Sequence, residues 1–418
     1  MTAKRFFTII LFALLTAGMV FVAGLLIRLV LLVISLGTGA VWTHLPRLFG
    51  LEHSLPYYLG ACLLGGLLIG LWQRRFGIFP DTLEEVIGRV KGTGTYPYDR
   101  LPVIAVAAIL PLIFGGALGP EAGLTGLIAG FCCMIGDHLK IKGDRLAALT
   151  EAGLAATLGV IFGAPFFGIA AHLEPDDSTE HYREKLVSRK TRILIYCFGV
   201  AGGMAAFALA GLFLPSVGLP RFDPEHAIGI HQWVWFVPLL ALGIIACLYY
   251  QSLAALMRFL GKKIASHRIV SCLIAGVAVA VCGWFIPLSM FSGEHQLEDL
   301  IAGYGDLTIP VLAISAAAKL FLVSVCINFG WKGGNIFPII YSSALLGYDF
   351  AAITGMDGTF AVAILTASFY AYLMRKPVTV MAILLLCFPV TYIIPIGISA
   401  FLASKIPSPF RNHPITHS

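Results

Sequence analysis

The chain has 418 residues, of which 58% are hydrophobic and 12% charged, with a mean hydropathy of +0.89. Soluble domains carry roughly twice that charged fraction, which excludes a soluble enzyme or a soluble binding module. The net charge of +6 is spread over loops, where basic residues orient membrane proteins, and it needs no nucleic acid to explain it.

In chain order, Lys4 and Arg5 precede an apolar run from Phe6 to Ile27. No small-residue cleavage site breaks that run, so it reads as a retained helix and not as a signal peptide. Apolar segments cover approximately 6–36, 57–72, 101–136, 146–173, 192–215, 231–260, 268–288, 309–329, 333–348, 359–373 and 377–404. A helix needs about twenty apolar residues to span a bilayer. Several of these segments are shorter and others are too long for one crossing. The pattern predicts an all-α polytopic membrane protein of tilted, broken and re-entrant helices, expected to form a single transmembrane domain over 1–418. Lys4/Arg5, Arg74/Arg75, Lys140/Lys142/Arg145, Arg183–Arg192 and Lys262/Lys263 tend to the cytoplasm, which suggests both termini inside. The nine cysteines lie in apolar segments and form no C-x-x-C pair, so buried thiols are expected, with no disulfide and no metal site. Nothing indicates a cofactor.

Between Arg100 and Asp137 the single charged residue is Glu121, at the centre of GGALGPEAGL (Gly115–Leu124). An ionisable side chain at membrane depth is a functional hypothesis by default. Proline suits the first turn of a helix, where no backbone donor is lost, and the glycines before Pro120 can unwind the chain. A helix starting at Pro120 would present its partial positive end where Glu121 sits, and that end attracts anions. An ionised Glu121 would then occupy an anion site for which an anion from solution competes. Protonation would release it. The spacing of Gly115, Gly119 and Gly123 also fits a plain small-residue helix contact, though Pro120 and the adjacent charge count against that.

The polar stretch from Glu174 to Arg192 separates two halves, at about 6–175 and 192–405, that echo each other. In the first, GGALGPEAG is followed by GAPFFGIAAHLE (Gly163–Glu174); in the second, WKGGNIFPII (Trp331–Ile340) is followed by MRKPVTVMAILLL (Met374–Leu386). Internal symmetry with Gly/Pro-interrupted segments at matching positions points to a transporter's binding site. GGNIFP, taken alone, is equally a simple turn. Paired with the first turn, the amides of Asn335, Ile336 and Phe337 would face inward. Dipoles without a fixed arginine bind an anion weakly enough to release it.

These residues resemble the CLC chloride channels and chloride/proton exchangers. GGALGPEAG is similar to that family's G-[KR]-E-G-P element, whose glutamate is the gate. The run from Leu139 to Glu174 resembles the long segment after the gate, which ends in N-A-P-hydrophobic-x-G. GGNIFP has the spacing of the G-G-x-F-x-P anion loop, and MRKPVTVMAILLL resembles the R-x-P-L-T segment. The similarity spans roughly residues 75–405 and is closest to a small bacterial branch of ion-transport proteins whose gate also reads LGPE. It implies a CLC-like inverted repeat, a homodimer in a bacterial cytoplasmic membrane, and no soluble C-terminal regulatory domain. It also implies transport of a small inorganic anion, chloride by default. Glu121 is the implied gate and proton acceptor; Gly119, Ala122, Gly123, Asn335, Ile336 and Phe337 are the implied anion contacts.

Departures from the family pattern leave the finer chemistry open. In Phe76–Asp81 (FGIFPD) the family's anion-contacting serine falls on Gly77. The inner proton-transfer glutamate falls on Pro175, with Glu174 beside it, and the C-terminal tyrosine falls near Ser408. The gate has Pro120 before it and Ala122-Gly123 after it. A passive channel and a proton-coupled exchanger therefore both remain, as do fluoride and nitrate as substrates. Lys319 is expected to be snorkelling or salt-bridged structurally, and His172 with Glu174 to mark a solvated helix end. A rival from another class rests on Tyr348-Asp349 and Gly303-Tyr304-Gly305-Asp306, the signatures of intramembrane aspartyl proteases, which need paired carboxylates as acid and base. Here they occur in reversed order beside a polar loop.

Overall fold

A computed structural model describes residues 3–52, 54–93, 95–141, 150, 153, 189–213, 220–223, 228–385 and 387–410. Among the described residues the chain is helical. The N-terminal helix α1 (Ala3–Gly39) runs through a π-turn (Ala40–His44) into the short α2 (Leu45–Phe49). There follow α3 (Leu55–Phe76), α4 (Leu83–Thr93), α5 (Leu101–Ile113), α6 (Glu121–His138) and α7 (Arg189–Gly211). The later helices are α8 (Ile230–Val234), α9 (Phe236–Ile264), α10 (Arg268–Phe285), α11 (Glu294–Gly303) and α12 (Ile309–Asn328). The last four are α13 (Ile336–Thr354), α14 (Gly358–Met374), α15 (Pro377–Leu384) and α16 (Ile393–Lys405). Seven of the helices are long and apolar enough to cross a membrane. The protein is a multi-pass, all-α membrane protein.

Two of the over-long apolar segments break, and the earlier of them does so at the glycines ahead of Pro120, as expected. Segment 101–136 becomes α5 and α6, separated by the glycine-rich stretch before Pro120. Segment 377–404 becomes α15 and α16, separated by a 3-10 turn at Val390–Tyr392. The first segment does not break: α1 is 37 residues long, about 55 Å at 1.5 Å per residue, so it must tilt or project beyond a hydrocarbon core of about 30 Å. All nine cysteines are free, most of them buried, while Cys197 is exposed on the apolar α7.

Two compact units interleave along the chain. The first comprises Met1–Ile34, Pro80–Val106 and Glu121–Gly218, and the second Ser35–Phe79, Ala107–Pro120 and Leu219–Ser418. The chain passes from the second to the first at the Pro120–Glu121 peptide bond.

In the first unit α1 and α7 approach closely. A Cβ on Gly202 would lie 2.1 Å from the Ala17 carbonyl oxygen. Arg28, buried in the middle of α1, sits over the Phe207 ring at 5.4 Å. Tyr96, from the loop after α4, is buried against α6. Its hydroxyl donates to Asp81 (3.0 Å) and its N–H to Cys133 Sγ (3.1 Å). The absence of a side chain at Gly126 leaves room for that hydroxyl.

The second unit is built around α14, which is buried on every side from Gly358 to Tyr372, as a helix with no charged residue and no polar face requires. Asp357 caps it, accepting from the Phe360 N–H at 2.7 Å. Elsewhere in this unit, α3 and α10 cross through glycine: a Cβ on Gly66 would lie 2.5 Å from the Cys272 carbonyl oxygen, and one on Gly276 2.5 Å from that of Cys62. Small residues at such crossings let backbones meet. Gly66→Val is expected to force the pair apart at a cost of roughly 1–3 kcal/mol, read as a lower unfolding midpoint in detergent. An unchanged midpoint would mean that the crossing yields freely.

Candidate functional site

The stretch between α5 and α6 is held by backbone bonds on all sides. After Ile113 the chain turns at Gly115, whose φ of +85° lies in the region that glycine tolerates. The Gly116 N–H donates back to the Pro111 carbonyl at 2.9 Å, and the Leu118 N–H to the Gly116 carbonyl at 2.8 Å. Helix carbonyls left over at the end of α5 need partners from elsewhere. The Ile113 carbonyl accepts from Trp42 Nε1 at 2.9 Å, the indole being carried in by the π-turn after α1. The Gly115 carbonyl accepts from the Phe291 N–H at 3.2 Å. A Cβ on Gly116 would stand 2.7 Å from the Pro111 carbonyl oxygen and 3.0 Å from the Trp331 ring, so this position excludes any side chain.

The second turn, between α12 and α13, mirrors the first. Gly330 has φ +97°. Trp331 is fully buried and anchors by donating its indole N–H to the Cys272 carbonyl at 2.9 Å. Gly333 then lies against Leu118, with no room for a Cβ of its own (2.8 Å). Asn335 precedes α13 and donates from Nδ2 to Tyr250 Oη at 3.2 Å; the Tyr370 hydroxyl donates to the Ile336 carbonyl. Pro338 falls in the first turn of α13, where a proline costs no helix bond.

The two turns meet. The Gly119 N–H donates to the Gly334 carbonyl and the Gly334 N–H to the Gly119 carbonyl, each at 2.8 Å. Two residues beyond each bridging glycine a helix begins, α6 at Glu121 and α13 at Ile336. The sequence echo between GGALGPE and GGNIFP is thus a structural pairing.

Glu121 opens α6 and is buried, 1% exposed. Ala122 and Gly123 follow it in the same buried first turn. Chain geometry keeps the Glu121 Cα within about 7 Å of that of Gly119. Gly119 is in the bridge, and Ile336 and Phe337 are buried in the first turn of α13, whose amide end carries partial positive charge. Since Gly115 and Gly119 are not in a helix, they cannot form one helix face with Gly123, which removes the small-residue-contact alternative. Gly77 is the C-terminal cap of α3 with φ +99°, its N–H donating to the Gln73 carbonyl at 3.0 Å; the backbone alone requires glycine there. Glu174, His172, Pro175 and the segment Gly163–Glu174 lie outside the described residues.

Lys319 corrects its expectation. Buried from solvent, it does not snorkel, and among the described residues it forms no salt bridge. Fully buried within α12, it donates from Nζ to the carbonyls of Met290 (2.6 Å) and Leu288 (3.4 Å) and to Gln296 Oε1 (3.3 Å). Its helix is packed on that side, so water is out of reach and backbone oxygens take its place. The protease reading meets a different obstacle: Asp306 is exposed on a 3-10 turn after α11, whereas the acid–base pair of that chemistry is buried. Tyr304 and Tyr348, from the same two motifs, simply stack, with ring centroids 4.1 Å apart.

Sequence reading missed Trp42, Tyr250, Phe291, Trp331 and Tyr370 as supports of the two turns. Only Trp331 carried a local signal, as the residue opening WKGGNIFP; the others arrive from remote segments.

A family model described as the voltage gated chloride channel matches residues 65–408. A candidate ion-transport protein of Escherichia coli O7:K1, YfeO, is 26% identical over 347 residues, covering 81% of this chain and 79% of that protein. Among solved structures, a slow cyanobacterial Cl-/H+ antiporter superposes with a TM-score of 0.81 at 16% identity, covering 97% of this chain and 96% of that one. A CLC-type fluoride/proton antiporter gives 0.74, also at 16% identity, covering 100% and 99%. At such identity the two superpositions establish the fold: a CLC-like inverted repeat of broken helices.

Proposed function

Because the chain belongs to the voltage gated chloride channel family, we propose that it moves a small inorganic anion, chloride by default, along a path gated by Glu121. Anion transport of the CLC type is the family's activity. The observation that best supports the finer reading is the reciprocal Gly119–Gly334 bridge, which joins the two glycine turns two residues ahead of a helix start on each side. Helix N-termini bind anions through unsatisfied amides and the helix dipole. In this reading the amides of Asn335, Ile336 and Phe337, with those of Ala122 and Gly123, replace part of the anion's water, while the expected contribution of the Gly119 amide is ruled out because its N–H is taken by the Gly334 carbonyl. Glu121 competes for the same place when ionised and yields it when protonated. Gly77 stands where the family's serine would contact the anion, and a glycine there offers no hydroxyl.

The proposal includes two inverted halves at about 6–175 and 192–405, a homodimer, a bacterial cytoplasmic membrane, and transport without enzymatic chemistry. Two modes compete within it. A passive channel needs only Glu121. A proton-coupled exchanger needs a second, inner acid, for which Glu174 is the candidate. The solved Cl-/H+ and fluoride/proton antiporters with this fold favour testing the exchanger first.

The experiment is efflux of chloride, fluoride and nitrate from proteoliposomes with simultaneous recording of internal pH. Uphill proton movement driven by an anion gradient, lost in Glu174→Gln, is expected of an exchanger. Anion flux without proton movement would assign a channel. No flux of any of the three anions would sink the proposal.

A further inference from the structure

A strained hairpin grips the turn that carries the gate. After α10 the chain makes a 3-10 turn (Pro287–Ser289) and then places Phe291, a non-glycine, at φ +59°, followed by Gly293 at +99°. A non-glycine residue in the left-handed region persists only where its surroundings over-determine it, and such outliers cluster at functional sites. This one reaches the gate turn directly. The Phe291 N–H donates to the Gly115 carbonyl at 3.2 Å, the Phe291 ring meets the edge of Trp42 at 5.6 Å, and Met290 Cε fills the space a Gly115 side chain would need.

Lys319 holds the other side of that hairpin. Its Nζ faces three oxygens, the carbonyls of Leu288 and Met290 and the side chain of Gln296, and lies 4.6 Å from the centre of the Tyr341 ring. An ammonium has three N–H donors and no acceptor, and it is attracted to an aromatic face. Three oxygens and a ring match it fully; a neutral amine would waste its lone pair here. The acids on the neighbouring α11 are Glu294, Glu298 and Asp299, the last two exposed, and none of the bonds of Lys319 goes to them. Keeping a cation buried with no acid partner among the described residues is costly, which marks Lys319 as more than filler.

We propose that Lys319 is a positioning residue for the gate: its ammonium ties down the Leu288 and Met290 carbonyls, holds Phe291 in its left-handed conformation, and so fixes the Gly115 turn from which Glu121 is hung. The inference rests on Glu121 as gate, but the geometry it invokes lies wholly within the second unit. Lys319 touches no anion in this account; it acts through Met290, Phe291 and Gly115.

The test compares native protein with Lys319→Met, which keeps most of the length and apolar bulk but loses all three donors. Two readouts are taken on the full chain: anion flux against pH in proteoliposomes, and amide hydrogen exchange over Gly115–Gly119. The expected result is faster exchange at Gly115–Gly119, flux lowered roughly tenfold to a hundredfold, as small misplacements at a reacting centre produce, and a shifted pH midpoint. Faster exchange at that turn in a protein whose native form moves no anion would uphold the clamp while ending the transport reading. Unchanged exchange and an unchanged pH profile would overturn the clamp while leaving that reading intact. Should Lys319→Met not fold, Gln296→Leu decides, since it removes one of the three acceptors: it is expected to move both readouts in the same direction by less, and no movement in either overturns the proposal.

Discussion

Glu121→Gln is expected to abolish the pH dependence of anion flux. Glutamine has the shape of the protonated acid and cannot ionise, so it should behave as a gate left permanently in its released form. In native protein, flux limited by the fraction of protonated Glu121 should fall about tenfold for each pH unit above its titration midpoint. Two units above that midpoint the variant should therefore conduct about a hundredfold faster than native protein. The substitution is conservative for packing: Glu121 is almost fully buried at the first position of α6, and the amide occupies the same volume. A loss of flux at every pH would point to damage. Equal rates for native and variant protein across the whole pH range would remove Glu121 as the gate.

Trp331→Ala is expected to have the largest effect on stability. The indole is fully buried, donates to the Cys272 carbonyl at 2.9 Å, and lies where any side chain on Gly116 would strike it. Truncating a buried tryptophan to alanine costs roughly 3–5 kcal/mol, because the lost contacts leave a cavity that neighbours only partly fill. Here the cavity opens directly under the glycine turn, so anion flux should be lost together with thermal stability. Trp331→Phe separates the two roles of this side chain. It keeps most of the ring over Gly116 and loses the N–H donor, which should cost roughly 1–3 kcal/mol, less than the alanine, and leave flux largely intact. Unfolding midpoints in detergent and efflux from proteoliposomes check both variants. A stable, conducting Trp331→Ala would show that the turn does not depend on what lies beneath it.

Much of the membrane architecture is legible in the sequence alone. Long uncharged stretches have one physical solution in lipid, helices that satisfy their own backbone, and glycine with proline marks where such helices break. That is why Gly115–Pro120 and Gly333–Asn335 could be recognised as paired turns and why Glu121 stood out. The internal echo went further than composition, since a Gly-Gly turn with a proline a few residues on recurs in each half and points to an interrupted helix in both. Lys319 was misread for an equally physical reason. Most lysines on apolar helices reach water or an acid, and nothing in ISAAAKLFLV reveals that the segment ahead of α11 folds back to offer two carbonyls and a glutamine.

The linear order of apolar runs, glycines and one isolated acid determined that this protein is a bundle of interrupted membrane helices with a carboxylate at a helix start. Those features depend on local backbone rules: which residues can span, which can break, and which can begin a helix. Only the tertiary structure decided that Gly119 and Gly334 exchange hydrogen bonds and that Trp42, Tyr250, Phe291, Trp331 and Tyr370 hold the turns they form. It alone decided that buried Lys319 donates to the Leu288 and Met290 carbonyls of the segment beside them. Such partners are chosen by proximity between segments far apart in the chain, where bare carbonyls and amides in a dry interior must find one another, and no local pattern records which of them will meet.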